Sequence, residues 1–180
     1  MARIVLVTGG SRSGKSAYAQ HLAEAHPVPR VFVATCPPVD EEMRDRIRRH
    51  REARRGRDWE TVEATVDLVG VLEKTPEYEV LLVDCLTLWI NNLMYEAQQE
   101  GRQVHEDEVE ARCDELLNVS AERSGAVVFV TNEVGMGIVP EHPISRKYRD
   151  LVGRCNQVMA GRADRVVLMV AGIPIDLKRG

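Results

Sequence analysis

No two of the four cysteines, Cys36, Cys85, Cys113 and Cys155, form a C-x-x-C pair. Their scatter implies neither a zinc site nor a disulfide framework and suits a reducing cytosol. A basic excess is also missing: the formal net charge is −4, which argues against a general nucleic-acid binder. No apolar run approaches the length needed to cross a membrane. The first apolar run is short and ends in a glycine-rich loop, so no signal peptide and a cytoplasmic location are expected. Internal repeats, low-complexity segments and interdomain linkers are absent from the pattern. What remains is 44% hydrophobic and 29% charged, the balance of a water-soluble globular chain with enough residues for a real core. One domain over residues 1–180 is expected.

Short apolar runs alternate with helical patterns along the chain. Strands are predicted over 4–8, 31–34, 61–63, 80–84, 126–131 and 165–170, with a last run over 173–177 that follows Gly172 closely enough to form an edge hairpin. Helices are predicted over 15–25, 41–54, 66–74, 87–98, 106–124 and 145–163. Near-continuous Val and Leu strands separated by helices imply a parallel sheet covered on both faces. Right-handed crossovers then give a three-layer α/β domain, with ligands at the carboxyl ends of the strands. Thr8, Ala34-Thr35, Asp84 and Thr131-Asn132-Glu133 all fall at such ends, and convergence on one crevice is expected.

The stretch Gly9-Gly10-Ser11-Arg12-Ser13-Gly14-Lys15-Ser16 fits G-x-x-x-x-G-K-[ST] without a mismatch. It follows an apolar strand and opens a helix, the context in which backbone N–H groups and a helix N-terminus cradle phosphates. Lys15 would reach the outer phosphates, and Ser16 would hold magnesium. Asp84 ends the run Val80-Leu81-Leu82-Val83, as an acid that binds a nucleotide's magnesium would. The alternative is that Asp84 caps the segment after it.

Asp40 can cap a helix beginning at Glu41-Glu42, acids suited to its positive end. Eight arginines follow (Arg44, Arg46, Arg48, Arg49, Arg51, Arg54, Arg55 and Arg57), a third of the chain's 24 basic residues. Arg grips phosphate with a planar fork. For most of them a solvated face paired with Asp45, Glu52 and Asp58 is the simpler account. The segment carries no interleaved aromatics, so a nucleic-acid surface is not expected. Within it lies His50, with Arg46 and Arg54 one helical turn to either side. A neutral imidazole there could attack phosphorus, the guanidiniums neutralising the developing charge. On the residue alone, an exposed surface histidine is the simpler account.

The loop Thr131-Asn132-Glu133-Val134-Gly135-Met136-Gly137-Ile138-Val139-Pro140 follows a buried run and is rich in glycine, which permits close backbone approach to a ligand. Together with Arg46-Ile47, His50-Arg51, Trp59, Thr61, Glu63 and Asp84-Cys85-Leu86-Thr87-Leu88-Trp89, it resembles the bifunctional adenosylcobinamide kinase / adenosylcobinamide-phosphate guanylyltransferase family of cobalamin biosynthesis, over essentially the whole chain. The resemblance implies a RecA-like P-loop domain with a mostly parallel sheet and an antiparallel edge hairpin, and a homotrimer. It implies phosphorylation of adenosylcobinamide with ATP or GTP, then transfer of GMP from GTP through a histidine to adenosylcobinamide phosphate, giving adenosylcobinamide-GDP. His50 matches the guanylylated histidine. Gly9 to Ser16, Ala34, Thr35, Cys36, Arg51, Glu52, Ala53, Arg54, Glu63 and Asp84 match nucleotide-contacting positions. Magnesium accompanies the nucleotide, at Ser16 and Asp84. The rival readings are a P-loop small-molecule kinase without the guanylyl step and a nucleotide-dependent switch or DNA-binding ATPase, the latter opposed by the net charge.

Overall fold

A computed structural model describes residues 1–37, 40–75 and 78–180; the side chains of Glu42 and Arg46 also lie outside the described set, and with them the expected place of Arg46 beside His50. In chain order the elements are β1 (Arg3–Gly9), α1 (Lys15–Glu24), β2 (Arg30–Ala34), α2 (Glu41–Arg54), β3 (Trp59–Glu63), α3 (Leu68–Lys74) and β4 (Val80–Asp84). There follow α4 (Leu86–Gln99), α5 (Glu106–Glu122), β5 (Ala126–Val130), a 3₁₀ turn (Val134–Met136), α6 (Pro143–Arg162), β6 (Arg165–Val170) and β7 (Ile173–Lys178). The strands form one sheet in the order β3-β2-β4-β5-β1-β6-β7. Every pairing is parallel except β6 with β7, the expected antiparallel edge.

Alternation along the strands splits the core in two. Ile4, Leu6, Val31, Val33, Leu81, Val83, Val127 and Phe129 face helices α3 to α6, against Leu72, Trp89, Ile90, Leu116, Val152 and Met159. Val5, Val7, Phe32, Leu82, Val128, Val130 and Val167 face the other way, onto Ala19 and Ala23 of α1. Each buried Val or Leu stabilises the fold by about 2 kcal/mol. The first face is thickly covered, and the second is covered mainly by one small-residue helix.

Helix boundaries follow local chemistry. Asp40 caps α2 as expected, its carboxylate accepting from Met43 N at 2.7 Å. Helix α6 begins two residues before the expected start because Pro143 suits the first turn, where its missing N–H costs nothing. Strand β3 extends back to Trp59 because the whole length of β2 is available for pairing, from Arg30↔Trp59 to Ala34↔Glu63.

Polar contacts at the ends of α1 and α2 hold the second helix in place. Gln20 Nε2, Arg57 Nη1 and Trp59 Nε1 all donate to the Glu24 carboxylate, at 2.8, 2.8 and 3.1 Å. Gln20 also reaches Ala53 O, and Arg30 donates to the carbonyls of Glu24, His26 and Arg57. Burial pushes the Glu24 carboxyl up, but these hydrogen bonds and the Arg57 charge outweigh it and hold the group below its ordinary value.

A carboxyl depressed in the folded state stabilises the fold above its unfolded pKa and loses that contribution as pH falls through the folded value. Glu24→Gln is therefore expected to lower the urea midpoint at neutral pH, with the gap to the wild type closing in acid. Urea titrations at the two pH values check this; a gap constant across them would contradict the assignment.

Candidate active site

The phosphate loop is built by backbone conformations few residues accept. Gly9 and Gly14 have φ of 153° and 91°, and Arg12 has φ of 56°. A Cβ at Gly9 would lie 2.6 Å from Met169 O, so this glycine also lets β1 and β6 approach. Gly14 is the N-cap of α1, leaving that helix's first N–H groups directed at the loop. Lys15 is buried, its Nζ donating to Gly10 O at 3.0 Å. Ser13 O accepts from Gly172 N at 3.0 Å, which ties the loop to the β6–β7 turn.

Ser11 to Ser16 line an open cleft of about 970 Å³. Its far walls come from Met43, Arg49 and His50 of α2, Thr87 and Leu88 of α4, Asn132 and Glu133 after β5, and Tyr148 of α6. Gly9 and Gly10 are not among the lining residues and act through packing and through the Gly10 carbonyl. Burial, with Cys85 adding to it, pushes the Tyr148 hydroxyl up to about 12, so it stays a donor, to Thr87 O at 3.3 Å.

A second, smaller hollow of about 40 Å³ adjoins the cleft, lined by Ala34, Cys36, Ile47, His50, Arg51, Arg54, Glu63 and Asp84 among others. The strand ends serve two adjoining hollows, with His50, Cys85 and Leu88 shared between them. The cause is strand order. β5 lies between β1 and β4, so the Asp84 tip stands one strand away from the phosphate loop and next to β2.

In this hollow Arg54 is 6% exposed, with its guanidinium carbon 3.4 Å from the Phe32 ring centroid. A desolvated cation over a ring is stabilised by about 2 kcal/mol. Its Nε has no hydrogen-bond partner among the described residues. Burial pulls the Arg54 pKa below its ordinary value, Asp84 pushes it back up, and Arg51 pulls it down again. Arg51 pairs with Glu63. Asp84 does not cap α4: Cys85 holds that place and makes no side-chain cap, so the capping alternative is not realised.

Three further residues expected to contact the nucleotide lie outside the lining of the two hollows. Thr35 is fully buried, and its hydroxyl donates to Cys85 O at 2.8 Å and accepts from Cys85 N at 2.7 Å. Glu52 is exposed and lines an outer groove of about 660 Å³ instead of either hollow. Ala53 is exposed and lines none of these hollows.

The sequence placed Thr131-Asn132-Glu133 at a strand end and in a glycine-rich loop, and Thr87 in a family motif, without a role for any of them; Asn156 and Tyr148 were missed. Asn156 sits 9% exposed inside α6, accepting from Thr131 Oγ1 at 2.7 Å and donating to Asn132 O at 3.0 Å. A polar residue on the buried stripe of an amphipathic helix was the one available signal.

Magnesium can be judged by donor chemistry. Of the two expected ligands, Ser16 lines the phosphate-loop cleft and offers a hydroxyl oxygen to a hard cation, whereas the Asp84 carboxylate lines the other hollow. Among the described residues no three His, Cys, Asp or Glu gather to hold a metal unaided. The residues fit an ion that brings most of its ligands with it as phosphate oxygens and water.

A phosphate loop on an α/β sheet of this order defines a nucleotide-binding domain of the P-loop class. The fold resembles a type III secretion system ATPase of pathogenic bacteria (TM-score 0.57, 11% identity), with 92% of this chain covering half of that one. It also resembles a KaiC-like protein of Pyrococcus horikoshii (TM-score 0.50, 17% identity), with 92% of this chain covering 71% of that one. Residues 5–177 match the family described as cobinamide kinase / cobinamide phosphate guanyltransferase, and the chain belongs to that family. The bifunctional adenosylcobalamin biosynthesis protein CobP of Pseudomonas aeruginosa is 41% identical, over 96% of each chain. The CobU proteins of Escherichia coli and Salmonella typhimurium, named in the same way, are 38% and 37% identical over 97% of this chain and 99% of theirs. Membership makes the chain a transferase of cobalamin biosynthesis. No helix among the described residues is long and apolar enough to cross a membrane.

Thr35→Val is expected to cost about 1–3 kcal/mol of stability, because it takes the hydroxyl acceptor from the buried N–H of Cys85. Chemical denaturation measures it. A variant as stable as the wild type would return Thr35 to the ligand.

Proposed function

We propose that this chain phosphorylates the side-chain hydroxyl of adenosylcobinamide with ATP or GTP, and then carries GMP from GTP on His50 to adenosylcobinamide phosphate. The observation that carries this reading is the position of His50, half-buried on α2 and lining both hollows. A kinase needs the phosphate-loop cleft, since in-line phosphoryl transfer requires positioning and charge stabilisation but no covalent carrier. A two-step nucleotidyl transfer also needs a nucleophile, and the imidazole beside Arg51 and Arg54 supplies one.

In the first reaction the loop amides and Lys15 hold the outer phosphates, and the substrate hydroxyl enters from the Asn132–Glu133 side. Ser16 would hold the magnesium ion that accompanies the nucleotide, which neutralises phosphate charge. In the second reaction an imidazole nitrogen of His50 bonds to the α-phosphorus of GTP, and pyrophosphate leaves. Arg51 and Arg54 stabilise the negative charge on the oxygens of that phosphorus. A phosphate oxygen of the corrinoid substrate then displaces His50, giving adenosylcobinamide-GDP. Ala34, Cys36 and Glu63 border the hollow where the guanylyl group would rest.

The reading extends to one domain over residues 1–180 and to a homo-oligomer, a trimer by family resemblance. Val170, Ile173, Ile175 and Leu177 at the β6–β7 edge are 45–64% exposed, an apolar strip that association would cover.

Two variants test the division of labour. His50→Ala is expected to lose the GMP adduct formed with α-labelled GTP, yet keep measurable phosphorylation of adenosylcobinamide. Lys15→Ala is expected to lose phosphorylation by at least about 100-fold, the scale of removing a group that stabilises transition-state charge. The adduct should be labile to acid and stable to alkali, as a phosphoramidate is. An adduct persisting in His50→Ala, or mapping to a lysine, would falsify the role of His50.

A further inference from the structure

We propose that Glu133 is the general base of the phosphorylation step; this rests on the kinase reading above. Four observations lead to it. First, Glu133 is the one carboxylate among the described residues lining the phosphate-loop cleft, whereas Asp84 and Glu63 line the other hollow. Second, its backbone is fastened to the phosphate loop itself, Glu133 N donating to Gly9 O at 3.1 Å. Third, a single carboxylate oxygen is clamped: Oε1 accepts from Thr8 Oγ1 at 2.5 Å and from Asn156 Nδ2 at 3.2 Å. Fourth, that clamp is fixed in turn, since Asn156 accepts from Thr131 Oγ1 and donates to Asn132 O. Oε2 accepts no hydrogen bond among the described residues and belongs to a half-buried side chain at the cleft wall.

A carboxylate held by one oxygen keeps the other in a fixed direction, as a base in a pre-set site requires. The cations of the cleft, Arg12, Lys15 and Arg49, belong to the loop and to α2 and are suited to the phosphates rather than to accepting a proton. In the step itself the substrate hydroxyl oxygen bonds to the γ-phosphorus. The bond from that phosphorus to the bridging oxygen breaks, and the nucleoside diphosphate leaves with its electron pair. The hydroxyl proton passes to Glu133 Oε2.

Thr8 and Asn156 are positioning residues in this arrangement. Neither carries a charge, and both act through Oε1.

The test uses the full chain, with adenosylcobinamide phosphorylation and GMP-adduct formation measured on the same preparations. Glu133→Gln keeps an oxygen for Thr8 and Asn156 but cannot take a proton. Its kcat for phosphorylation is expected to fall about 100-fold or more, the range for loss of a general base. KM for both substrates and the yield of GMP adduct should stay at wild-type levels. Thr8→Val, which removes the shorter of the two clamping hydrogen bonds and leaves the carboxylate, should give a smaller fall in kcat at unchanged KM. Wild-type kcat in Glu133→Gln would overturn the proposal, as would equal loss of both activities or a raised nucleotide KM, which mark a structural or binding role. If Glu133→Gln does not fold, Thr8→Val decides: lowered kcat at unchanged KM supports the base, and wild-type kcat overturns it. A wild-type protein that phosphorylates no adenosylcobinamide would instead remove the kinase reading, whatever the variants do.

Discussion

The hydrogen-bond ladder between β1 and β5 does not stop where the strands stop. The two run parallel from Arg3↔Ala126 to Val7↔Val130, and the chain then adds Thr131 N to Val7 O at 3.0 Å and Glu133 N to Gly9 O at 3.1 Å. The rest of the site depends on this extension. It brings the glycine-rich loop after β5 alongside the phosphate loop with main-chain precision, before any side chain has a part. A parallel sheet makes this possible because all its strands release their loops at one edge. The buried Thr8, Thr131 and Asn156 then lock the two loops together with hydroxyl and amide groups that are satisfied inside the molecule.

The opposite wall follows different physics. Helix α2 carries the arginines and His50, and so has little apolar surface with which to bury itself. It is held at its C-terminal end by charge and stacking: Arg54 on Phe32, Arg51 with Glu63, and the carbonyls of Ala53 and Arg57 taken up by Gln20 and Arg30. A helix retained by a buried cation over a ring keeps its His50-bearing face polar, which a helix retained by leucines could not do. The same guanidinium that anchors the helix faces Asp84 and the smaller hollow. The anchor of the helix and a cation of the hollow are therefore one residue.

Much of this was legible in the chain. Periodicity located all six helices and all seven strands, because the central strands are almost unbroken Val and Leu and the breaks between elements carry Gly, Pro or Asp. The phosphate loop was legible because its chemistry requires particular residues at fixed spacing. The division into two hollows was not. It follows from strand order, which local pattern does not encode: nothing in Val80-Leu81-Leu82-Val83-Asp84 tells that β5 will sit between it and β1. Thr35 illustrates the same limit. Its position at a strand end suggested a ligand contact, but the turn into α4 took its hydroxyl, a contact spanning fifty residues of sequence. Asn156 lay too far along the chain for spacing to connect it with Glu133.

Two chemistries in one chain pose a problem of separation, and the strand order answers it. Phosphoryl transfer and nucleotidyl transfer attack different phosphorus atoms of a triphosphate, so the groups serving them must not compete for one location. With β5 inserted between β1 and β4, the carboxylate beside the phosphate loop is Glu133, and the carboxylate beside the arginines is Asp84. Each hollow has its own acid and its own cations: Lys15 and Arg12 in one, Arg51 and Arg54 in the other. His50 is the only titratable side chain in the two lining sets, besides the buried Cys85 thiol, that belongs to both. That imidazole reaches the boundary of the two hollows from α2 and not from any strand of the sheet.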